Sequence, residues 1–245
     1  MTDKGKVVVA WCYGMEVASM FMTSVQMMFN HESSNSNNVI AVIAEHAHVN
    51  ITHVRNNILR QFMMVDGAEW LLMLDTDMVV PEDLLDILLG DADNDPLSPG
   101  YTPFIGGLCF SIDGNAKLYP TMYRWTGPDA DLSLEVIHDY TPGELVEVDA
   151  TGAACLLMHK PALARIFTAS EGDIFPWFKE FEYEGTALSE DFGFMRRISD
   201  HGLRVVVNTN ASLGHFKPFV LSEDMYAHQQ QADKALAAAK TKDSV

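Results

Sequence analysis

Cysteines, basic residues and long apolar runs are all scarce in this sequence, and each scarcity excludes a class of protein. The three cysteines, Cys12, Cys109 and Cys155, are widely spaced and include no C-x-x-C pair. We therefore expect buried, reduced thiols, which indicate a reducing compartment and a cytoplasmic protein. No stretch approaches the roughly 20 apolar residues of a transmembrane helix, so no membrane span is expected.

Lysine and arginine residues are also few. The chain has 16 Lys and Arg against 34 Asp and Glu, which gives a formal net charge of −18. Since nucleic-acid affinity comes largely from Lys and Arg that neutralise phosphates, the surface as a whole would repel a duplex. The length of 245 residues suits one α/β domain, or at most a domain with a small appendage. A composition of 48% hydrophobic and 20% charged residues argues against a disordered chain.

Several common site signatures are missing. The sequence contains no G-x-x-x-x-G-K-[ST], G-x-G-x-x-G or G-x-S-x-G pattern, which excludes the P-loop, the dinucleotide fingerprint and the nucleophile elbow. Residues 91–95 begin like a calcium loop, but Pro96 stands where Gly is needed and Thr102 where the bidentate Glu should be. Three histidines between positions 46 and 53 lack the further ligands of a zinc site.

The first half of the chain shows a regular alternation of elements. Apolar runs at 7–11, 39–44 and 70–74 predict buried strands, and apolar residues at helical spacing predict helices over 16–30 and 51–65. Strands that alternate with helices form a parallel, doubly wound sheet, in which ligands bind beyond the carboxyl ends of the strands. We therefore expect functional residues just after these strands.

The remaining segments are less regular. The polar stretch 33–38 is predicted to be a loop and 82–89 a short helix. From 91 to 147, frequent Pro and Gly with brief apolar runs predict mixed strands and loops that could form an acceptor-side surface. The later predicted elements are a strand over 148–159, helices over 161–168 and 189–202, a strand over 203–207 and a helical tail over 221–245.

The acidic motif Asp75-Thr76-Asp77 follows directly on the predicted strand 70–74. It places two carboxylates where sheets of this kind bind ligands. Mg²⁺ and Mn²⁺ favour carboxylate oxygens together with substrate phosphates over a full protein cage. The spacing alone is common in acidic turns, but its position after a buried strand predicts a divalent-cation site.

A second acidic pair begins a predicted helix. Ser189 is a good N-cap, and Glu190 and Asp191 complement the positive helix end, which requires no further function. A helix start also holds a side chain in a fixed geometry, as a general base needs. Both interpretations stay open on these residues alone.

Two further polar positions have a structural and a functional interpretation. His215 follows the last predicted strand and is either a structural residue or an imidazole that completes a carboxylate–phosphate metal shell. Arg55 and Asn56 lie on a polar stripe of the second helix. There the guanidinium is either solvated or close to phosphates, which its geometry suits.

In their order along the chain, these motifs resemble the metal-dependent glycosyltransferases of the GT-A fold, near the broad family 2-like group. The resembling segments are 7–24, His53-Val54-Arg55-Asn56, Leu74-Asp75-Thr76-Asp77-Met78, Thr151-Gly152-Ala153-Ala154, Leu188-Ser189-Glu190-Asp191-Phe192 and Gly214-His215. Ser189 stands where many relatives have Gly, and His53 where many have Ala. These departures weaken any inference about the type of sugar.

The resemblance implies a single GT-A-type, Rossmann-like domain over 1–220, with a mixed, mostly parallel sheet flanked by helices. Residues 1–90 would form the nucleotide-sugar-binding half and 91–220 the acceptor-side half. It also implies Mn²⁺ or Mg²⁺ as cofactor and a nucleotide-diphosphate-sugar as donor. Protein, glycan and small-molecule acceptors are favoured over nucleic acid because of the charge.

Roles for individual residues follow from the same resemblance. Asp77, His215 and Asp75 would hold the metal, and Asp191, with Glu190 in reserve, would be the general base of an inverting reaction. The implied donor-binding residues are Trp11, Arg55, Asn56, Asp75 and Gly152. Among the aromatic residues that could stack on a sugar, Trp177 is the acceptor-side candidate, although core packing is the commoner use of such rings.

Two alternatives remain. Residues 71–79 also match the opening strand of haloacid-dehalogenase-like phosphohydrolases, in which Asp75 would be the nucleophile. Such enzymes usually carry that motif on their first strand, whereas here two strand–helix units precede it. The chain could also be a non-catalytic sugar-nucleotide-binding protein. The sugar, the acceptor, the stereochemical outcome and the oligomeric state stay open.

Overall fold

The structure of the chain, a computed structural model, describes residues 5–48, 50–114, 117–126, 133–183 and 186–218, together with the isolated positions 223, 226, 230 and 234. The predicted helical tail over 221–245 therefore lies largely outside the described residues. Within those residues, no helix combines the length and apolar composition that a membrane crossing requires.

Helices and strands alternate first and then give way to short strands. The helices are α1 (Ser19–Asn35), α2 (Ile51–Met64), α3 (Leu84–Asp91), α4 (Lys160–Ala169) and α5 (Glu190–Asp200). The strands are β1 (Lys6–Tyr13), β2 (Val39–His46), β3 (Ala68–Asp75), β4 (Met78–Val79), β5 (Phe104–Leu108), β6 (Phe110–Ile112), β7 (Leu118–Pro120), β8 (Met122–Thr126), β9 (Ser133–Val136), β10 (Leu145–Val148), β11 (Ala150–Thr151), β12 (Cys155–His159), β13 (Phe181–Tyr183), β14 (Thr186–Leu188), β15 (Val205–Ser212) and β16 (Gly214–His215).

The central sheet has seven strands in the order β10-β15-β5-β12-β3-β1-β2. Five of them point the same way, while β12 and β10 run in the opposite direction. A mixed, mostly parallel sheet flanked by helices is thus confirmed. Because β12 lies antiparallel between β3 and β5, it joins the first half of the chain to the second.

Two apolar layers cover the faces of this sheet. In β1, Val8 faces one layer and Val9 the other, because successive side chains of a strand point to opposite faces. The first layer contains Phe62 of α2 and apolar residues of α4 and α5, and the second contains Phe21 of α1 and the leucines of α3. Strands buried on both faces appear as continuous apolar runs, which explains why they could be predicted.

The helix α1 is longer than predicted, and the predicted loop over 33–38 is wrong in part. The hydroxyls of Ser33 and Ser34 both donate to the Asn30 carbonyl one turn earlier. The helix ends where Asn37 adopts a positive φ of 51° and donates its N–H to the Glu32 carbonyl. Polar residues that bond within the helix thus extend it through a segment whose composition is typical of a loop.

The predicted strand over 148–159 is in fact divided among three elements. The chain leaves the central sheet after β10, pairs briefly with β8 through β11, and returns to the sheet as β12. Apolar residues continue through the change of partner, so the pattern alone does not reveal it. The break at Gly152 and Ala153 brings the backbone beside the end of β3, where the Asp75 N–H donates to the Ala154 carbonyl at 2.9 Å.

The packing of α5 can be tested at Gly193 in its first turn. A Cβ atom at this position would lie 1.8 Å from the Lys179 carbonyl oxygen. We expect Gly193→Ala to lower the free energy of unfolding by about 1–3 kcal/mol, because the backbone must shift to relieve the overlap. Urea unfolding followed by circular dichroism measures this change.

The matched control is Gly90→Ala in α3, where no atom lies within 4 Å of the added Cβ. Alanine is favoured over glycine inside a helix by about 1 kcal/mol, so this variant should be as stable as the wild type or more so. An unfolding midpoint of Gly193→Ala equal to that of the wild type would contradict the close approach.

Candidate functional site

Acidic side chains from distant parts of the chain meet at the carboxyl end of β3. Asp75 ends this strand, and Asp77 follows it in the turn before β4. The first turn of α5 supplies Glu190 and Asp191, and the helix α2 supplies Arg55. The predicted site residues Asp75, Asp77, Glu190, Asp191 and Arg55 therefore collect near the carboxyl end of β3, where sheets of this kind bind ligands.

Arg55 binds three carboxylates at once. Its Nη2 donates to Asp75 Oδ1 at 2.9 Å, and its Nη1 donates to Glu190 Oε1 at 2.9 Å and to Asp191 Oδ1. The guanidinium also lies over the ring of Phe178, with 5.4 Å from Cζ to the ring centroid. One cation thus connects the end of β3 with the start of α5.

The expectation of a polar stripe at Arg55 and Asn56 is wrong, because both residues are buried, with 3% and 0% of their surface exposed. The Asn56 amide donates to the carbonyls of Thr52 and Phe178, and its oxygen accepts the Trp177 N–H. These two polar residues therefore face the interior, where acidic and backbone groups from the second half of the chain complete their hydrogen bonds.

Charge in this cluster is only partly compensated. Three ionised carboxylates against one guanidinium leave a net charge of −2. Desolvation raises the pKa of Asp191 and of Glu190, and Arg55 opposes the shift in both. The pKa of Arg55 is in turn held above its ordinary value by Asp191, Asp75 and Glu190, although burial opposes this. The cluster therefore favours a bound proton or a further positive charge.

The segment before β12 lies against Asp191. Asp191 Oδ2 accepts the Ala153 N–H at 3.3 Å. A Cβ atom at Gly152 would lie 3.8 Å from the same oxygen. Glycine at this position therefore keeps a side chain away from Oδ2.

Asp77 belongs to a separate network. The short strand β16 pairs with β4, with His215 opposite Met78, and the Phe216 N–H donates to the Asp77 carbonyl at 2.7 Å. His215 Nε2 lies 3.0 Å from Asp77 Oδ2, and Lys217 Nζ donates to that same oxygen at 2.8 Å. Partial burial opposes the shift, but the hydrogen bonds and charges of Lys217 and His215 lower the pKa of Asp77.

The tautomer of His215 follows from its second ring nitrogen. Nδ1 lies 2.7 Å from the Phe110 carbonyl oxygen, which can only accept, so Nδ1 carries the hydrogen. In the neutral ring, Nε2 then presents a lone pair to a carboxylate oxygen that also has only lone pairs. A proton or a cation is required to make this pair favourable. A carbonyl that fixes the far nitrogen is the usual support of a metal-binding histidine.

The three predicted metal ligands are therefore divided between two networks. Asp77 and His215 face each other, whereas Asp75 Oδ1 is bound by Arg55. Across the residues that the structure describes, no group of three or more His, Cys, Asp or Glu surrounds a common point. Two ligands fit a cation such as Mn²⁺ or Mg²⁺ if phosphate oxygens and water supply the others, as these metals commonly require.

Two predicted binding residues lie within the core. Trp11 is 8% exposed and packs edge to face against Phe21, with 5.6 Å between the ring centroids. Trp177 is 1% exposed, its Nε1 donates to the Leu163 carbonyl, and its ring stacks on Phe167. Their donor-binding and acceptor-binding roles stay predictions, and direct contact with a ligand would require these rings to become exposed.

Lys217 is a site residue that the sequence analysis missed. It follows His215 by two positions, the spacing that places two side chains on the same side of an extended segment. That spacing could have identified it once His215 was suspected. The contact with Asp77 still depends on the pairing of β16 with β4, which no local pattern predicts.

No protein-family model matches the sequence, and a comparison with curated proteins finds no similar sequence. Among solved structures, the chain is similar to GalNAc-T7 with UDP, GalNAc and Mn²⁺, with a TM-score of 0.54 and 13% identity. The match covers 88% of this chain and 44% of that one, so the chain spans less than half the length of that protein.

A second similar structure is a mutant of the Drosophila β1,4-galactosyltransferase 7 in complex with manganese, UDP-Gal and xylobiose, with a TM-score of 0.44 and 15% identity. That match covers 91% of this chain and 79% of the other. At these identities a likeness shows the fold alone. Together with the mixed sheet and its flanking helices, the likeness to GalNAc-T7 shows that the chain has a GT-A-like fold.

The ion pairs of Arg55 can be tested by their pH dependence. Arg55→Met should lower the free energy of unfolding near neutral pH by about 3–5 kcal/mol, because it leaves buried carboxylates without their cation. Removal of the guanidinium should also raise the pKa values of Glu190 and Asp191 further, since Arg55 opposes their present rise.

A carboxyl group with a higher pKa in the folded chain stabilises the fold below its unfolded pKa and loses that contribution as the pH rises. The stability difference between Arg55→Met and the wild type should therefore shrink as the pH falls toward the ordinary values of 4.5 for Glu190 and 3.8 for Asp191. Urea unfolding across a pH series measures it. Arg196→Met, which removes a surface pair with Asp200, is the control. A difference that grows on acidification would contradict the account.

Proposed function

We propose that the chain is a metal-dependent glycosyltransferase that moves a sugar from a nucleotide-diphosphate-sugar donor to an acceptor hydroxyl. The observation that carries this proposal is the junction at the end of β3. There, Asp77 faces the fixed lone pair of His215, while the neighbouring Asp75 is joined through Arg55 to Asp191. The candidate metal ligands Asp77 and His215 and the candidate base Asp191 are thus connected through the short turn from Asp75 to Asp77.

Asp77 Oδ2 and His215 Nε2 would hold Mn²⁺ or Mg²⁺. When bound, such a cation stabilises the negative charge that grows on the leaving diphosphate. The chain's part is to fix the two ligands. The Phe110 carbonyl orients the imidazole, and the β4–β16 pairing holds the backbone of Asp77 and His215 together. Asp75 would stand beside this pair as a contact for the donor or as a further ligand.

Asp191 would act as the general base in an inverting reaction, with Glu190 in reserve. As the acceptor oxygen attacks the anomeric carbon and the bond to the diphosphate breaks, the acceptor proton passes to Asp191 Oδ2. The desolvation that raises the pKa of Asp191 makes its carboxylate a better proton acceptor. Arg55 holds the carboxylate in place through Oδ1, and Gly152 leaves room for the acceptor.

The remaining predicted residues would act from within the core. Arg55 sets the position of Asp75 at the donor site, and Trp11 supports that site through its packing on Phe21. Asn56 holds the backbone of Trp177 and Phe178, and the ring of Phe178 lies beneath the guanidinium of Arg55. In this proposal, Trp177 therefore positions the acceptor side rather than touching the sugar.

The fold and the charge support the proposal over its alternatives. GalNAc-T7, which is solved with UDP, GalNAc and Mn²⁺, shares the fold. The phosphohydrolase alternative needs Asp75 as a nucleophile on the opening strand, but Asp75 ends the third strand and is ion-paired with Arg55. The net charge of −18 favours a protein, glycan or small-molecule acceptor over nucleic acid. The buried free thiols suit a cytoplasmic location.

Asp77→Asn tests the metal-binding role. We expect Mn²⁺-dependent cleavage of the nucleotide-sugar to fall by more than about 100-fold, since even the loss of an outer partner costs roughly 10–100-fold in metal affinity or activity. The donor is first chosen from a panel of nucleotide-sugars with Mn²⁺ by thermal stabilisation, and release of the nucleoside diphosphate is then measured.

Asp86→Asn is the control. Asp86 of α3 also pairs with a histidine, His31 of α1 at 2.8 Å, but this pair is not part of the candidate site. It should leave turnover unchanged. Full turnover by Asp77→Asn at the same metal concentration would exclude the assignment.

Lys217→Met tests whether the ammonium and the metal compete for Asp77 Oδ2. Since an exposed ion pair is worth about 0.2–1 kcal/mol, its removal should tighten Mn²⁺ binding by up to about fivefold. Isothermal titration with Mn²⁺ measures the affinity. Lys179→Met, which removes a similar pair with Asp173, should have no effect. Weaker Mn²⁺ binding by Lys217→Met would show that Lys217 assists the metal instead.

A further inference from the structure

A cleft lies in the second half of the chain, between the turn after β6 and the strands β8 and β9. Its volume is about 310 Å³, which lies within the size range of small-molecule sites. Among the described residues, its lining consists of Asp113, Lys117, Tyr119, Tyr123, Val136 and His138. None of these residues has a part in the mechanism proposed above.

Both walls of the cleft contact residues near His215 or Asp191. One wall is the hairpin of β6 and β7, and β6 begins at Phe110, whose carbonyl accepts the Nδ1 hydrogen of His215. The other wall is β8, where the ring of Tyr123 packs edge to face on Phe192 at 5.3 Å between centroids. Phe192 directly follows Asp191. Phe110 and Tyr123 therefore connect the two walls to the surroundings of His215 and Asp191.

The side chains of the cleft offer two kinds of contact. Tyr119 and Tyr123 are partly exposed and supply aromatic rings. Asp113, Lys117 and His138 supply a hydrogen-bond acceptor, a donor and a ring that can do either. Rings beside groups of all three kinds match a molecule that is apolar on one face and carries hydroxyls around its rim.

We propose that this cleft binds a pyranose ring of a carbohydrate acceptor, an inference that rests on the proposed function and specifies its acceptor as a glycan. The C–H face of the sugar packs on the tyrosine rings, and its hydroxyls bond to Asp113, Lys117 and His138. A purely apolar acceptor would desolvate these polar groups without offering them hydrogen bonds. Among the described lining residues, a nucleic-acid acceptor would meet one Lys and no Arg.

The test measures sugar binding and donor cleavage separately. Binding of a panel of p-nitrophenyl glycosides, which differ in their pyranose ring, is measured by saturation-transfer NMR on the whole chain without donor. Tyr119→Ala should weaken binding of the best glycoside by about threefold to tenfold, because it removes a stacking ring. Tyr119→Phe keeps the ring and should bind within about twofold of the wild type.

A second pair of variants tests the cleft at an exposed residue, in case Tyr119→Ala does not fold. His138 is exposed, so His138→Ala should fold normally and still weaken glycoside binding, whereas His201→Ala, outside the cleft, should not. None of these variants should change Mn²⁺-dependent hydrolysis of the donor by water, since Asp77, His215 and Asp191 are retained.

The outcomes separate this inference from the proposed function. Glycoside binding that falls in Tyr119→Ala and His138→Ala, with donor hydrolysis unchanged, supports a glycan acceptor. Donor hydrolysis with no glycoside bound, or with binding indifferent to both variants, overturns the inference and leaves the proposed function standing. Glycoside binding without any cleavage of a nucleotide-sugar overturns the acceptor role together with the proposed function.

Discussion

The arrangement of the site depends on the burial of one positive charge, that of Arg55. Its guanidinium holds Asp75 from the end of β3 and the Glu190–Asp191 pair from the start of α5. These carboxylates would repel one another without it, and the packing of α5 on the sheet would bring them together at a high cost in free energy. Because Asp75 belongs to the first half of the chain and α5 to the second, this ion-pair cluster also connects the two halves.

The same cluster separates two carboxylates that are only two residues apart. Asp75 turns toward Arg55, whereas Asp77 turns toward His215 and Lys217. The partner of Asp75 is a permanent cation within the protein. The partners of Asp77 are His215, a partly buried imidazole whose Nε2 has a free lone pair when the ring is neutral, and Lys217, a partly exposed lysine. In the proposed site, the imidazole would bind a metal and the lysine would move aside for it. This difference is the reason why we propose Asp77 as the metal ligand and regard Asp75 first as the partner of Arg55.

Much of the fold could be predicted because its causes are local. Strands buried on both faces appear as apolar runs, and Asp75 and Asp77 stand directly after one of them, so the edge that bears the site could be located. The burial of Arg55 could not be predicted, because its partners lie 20, 135 and 136 residues away. The contact of Lys217 with Asp77 depends on the pairing of two-residue strands. The division of 148–159 depends on a change of partner along an unbroken apolar run.

In the proposed mechanism, Asp77 and His215 are the protein ligands of a metal that also binds the donor diphosphate. Anomalous diffraction at the manganese edge, from crystals soaked with Mn²⁺ and UDP, tests this most directly. The predicted result is one peak in contact with Asp77 Oδ2, His215 Nε2 and the diphosphate, with Lys217 moved away from Asp77 and the Arg55 ion pairs intact. A peak that contacts Asp75 but not Asp77, with those ion pairs broken, would contradict the account, as would a bound diphosphate with no metal beside Asp77.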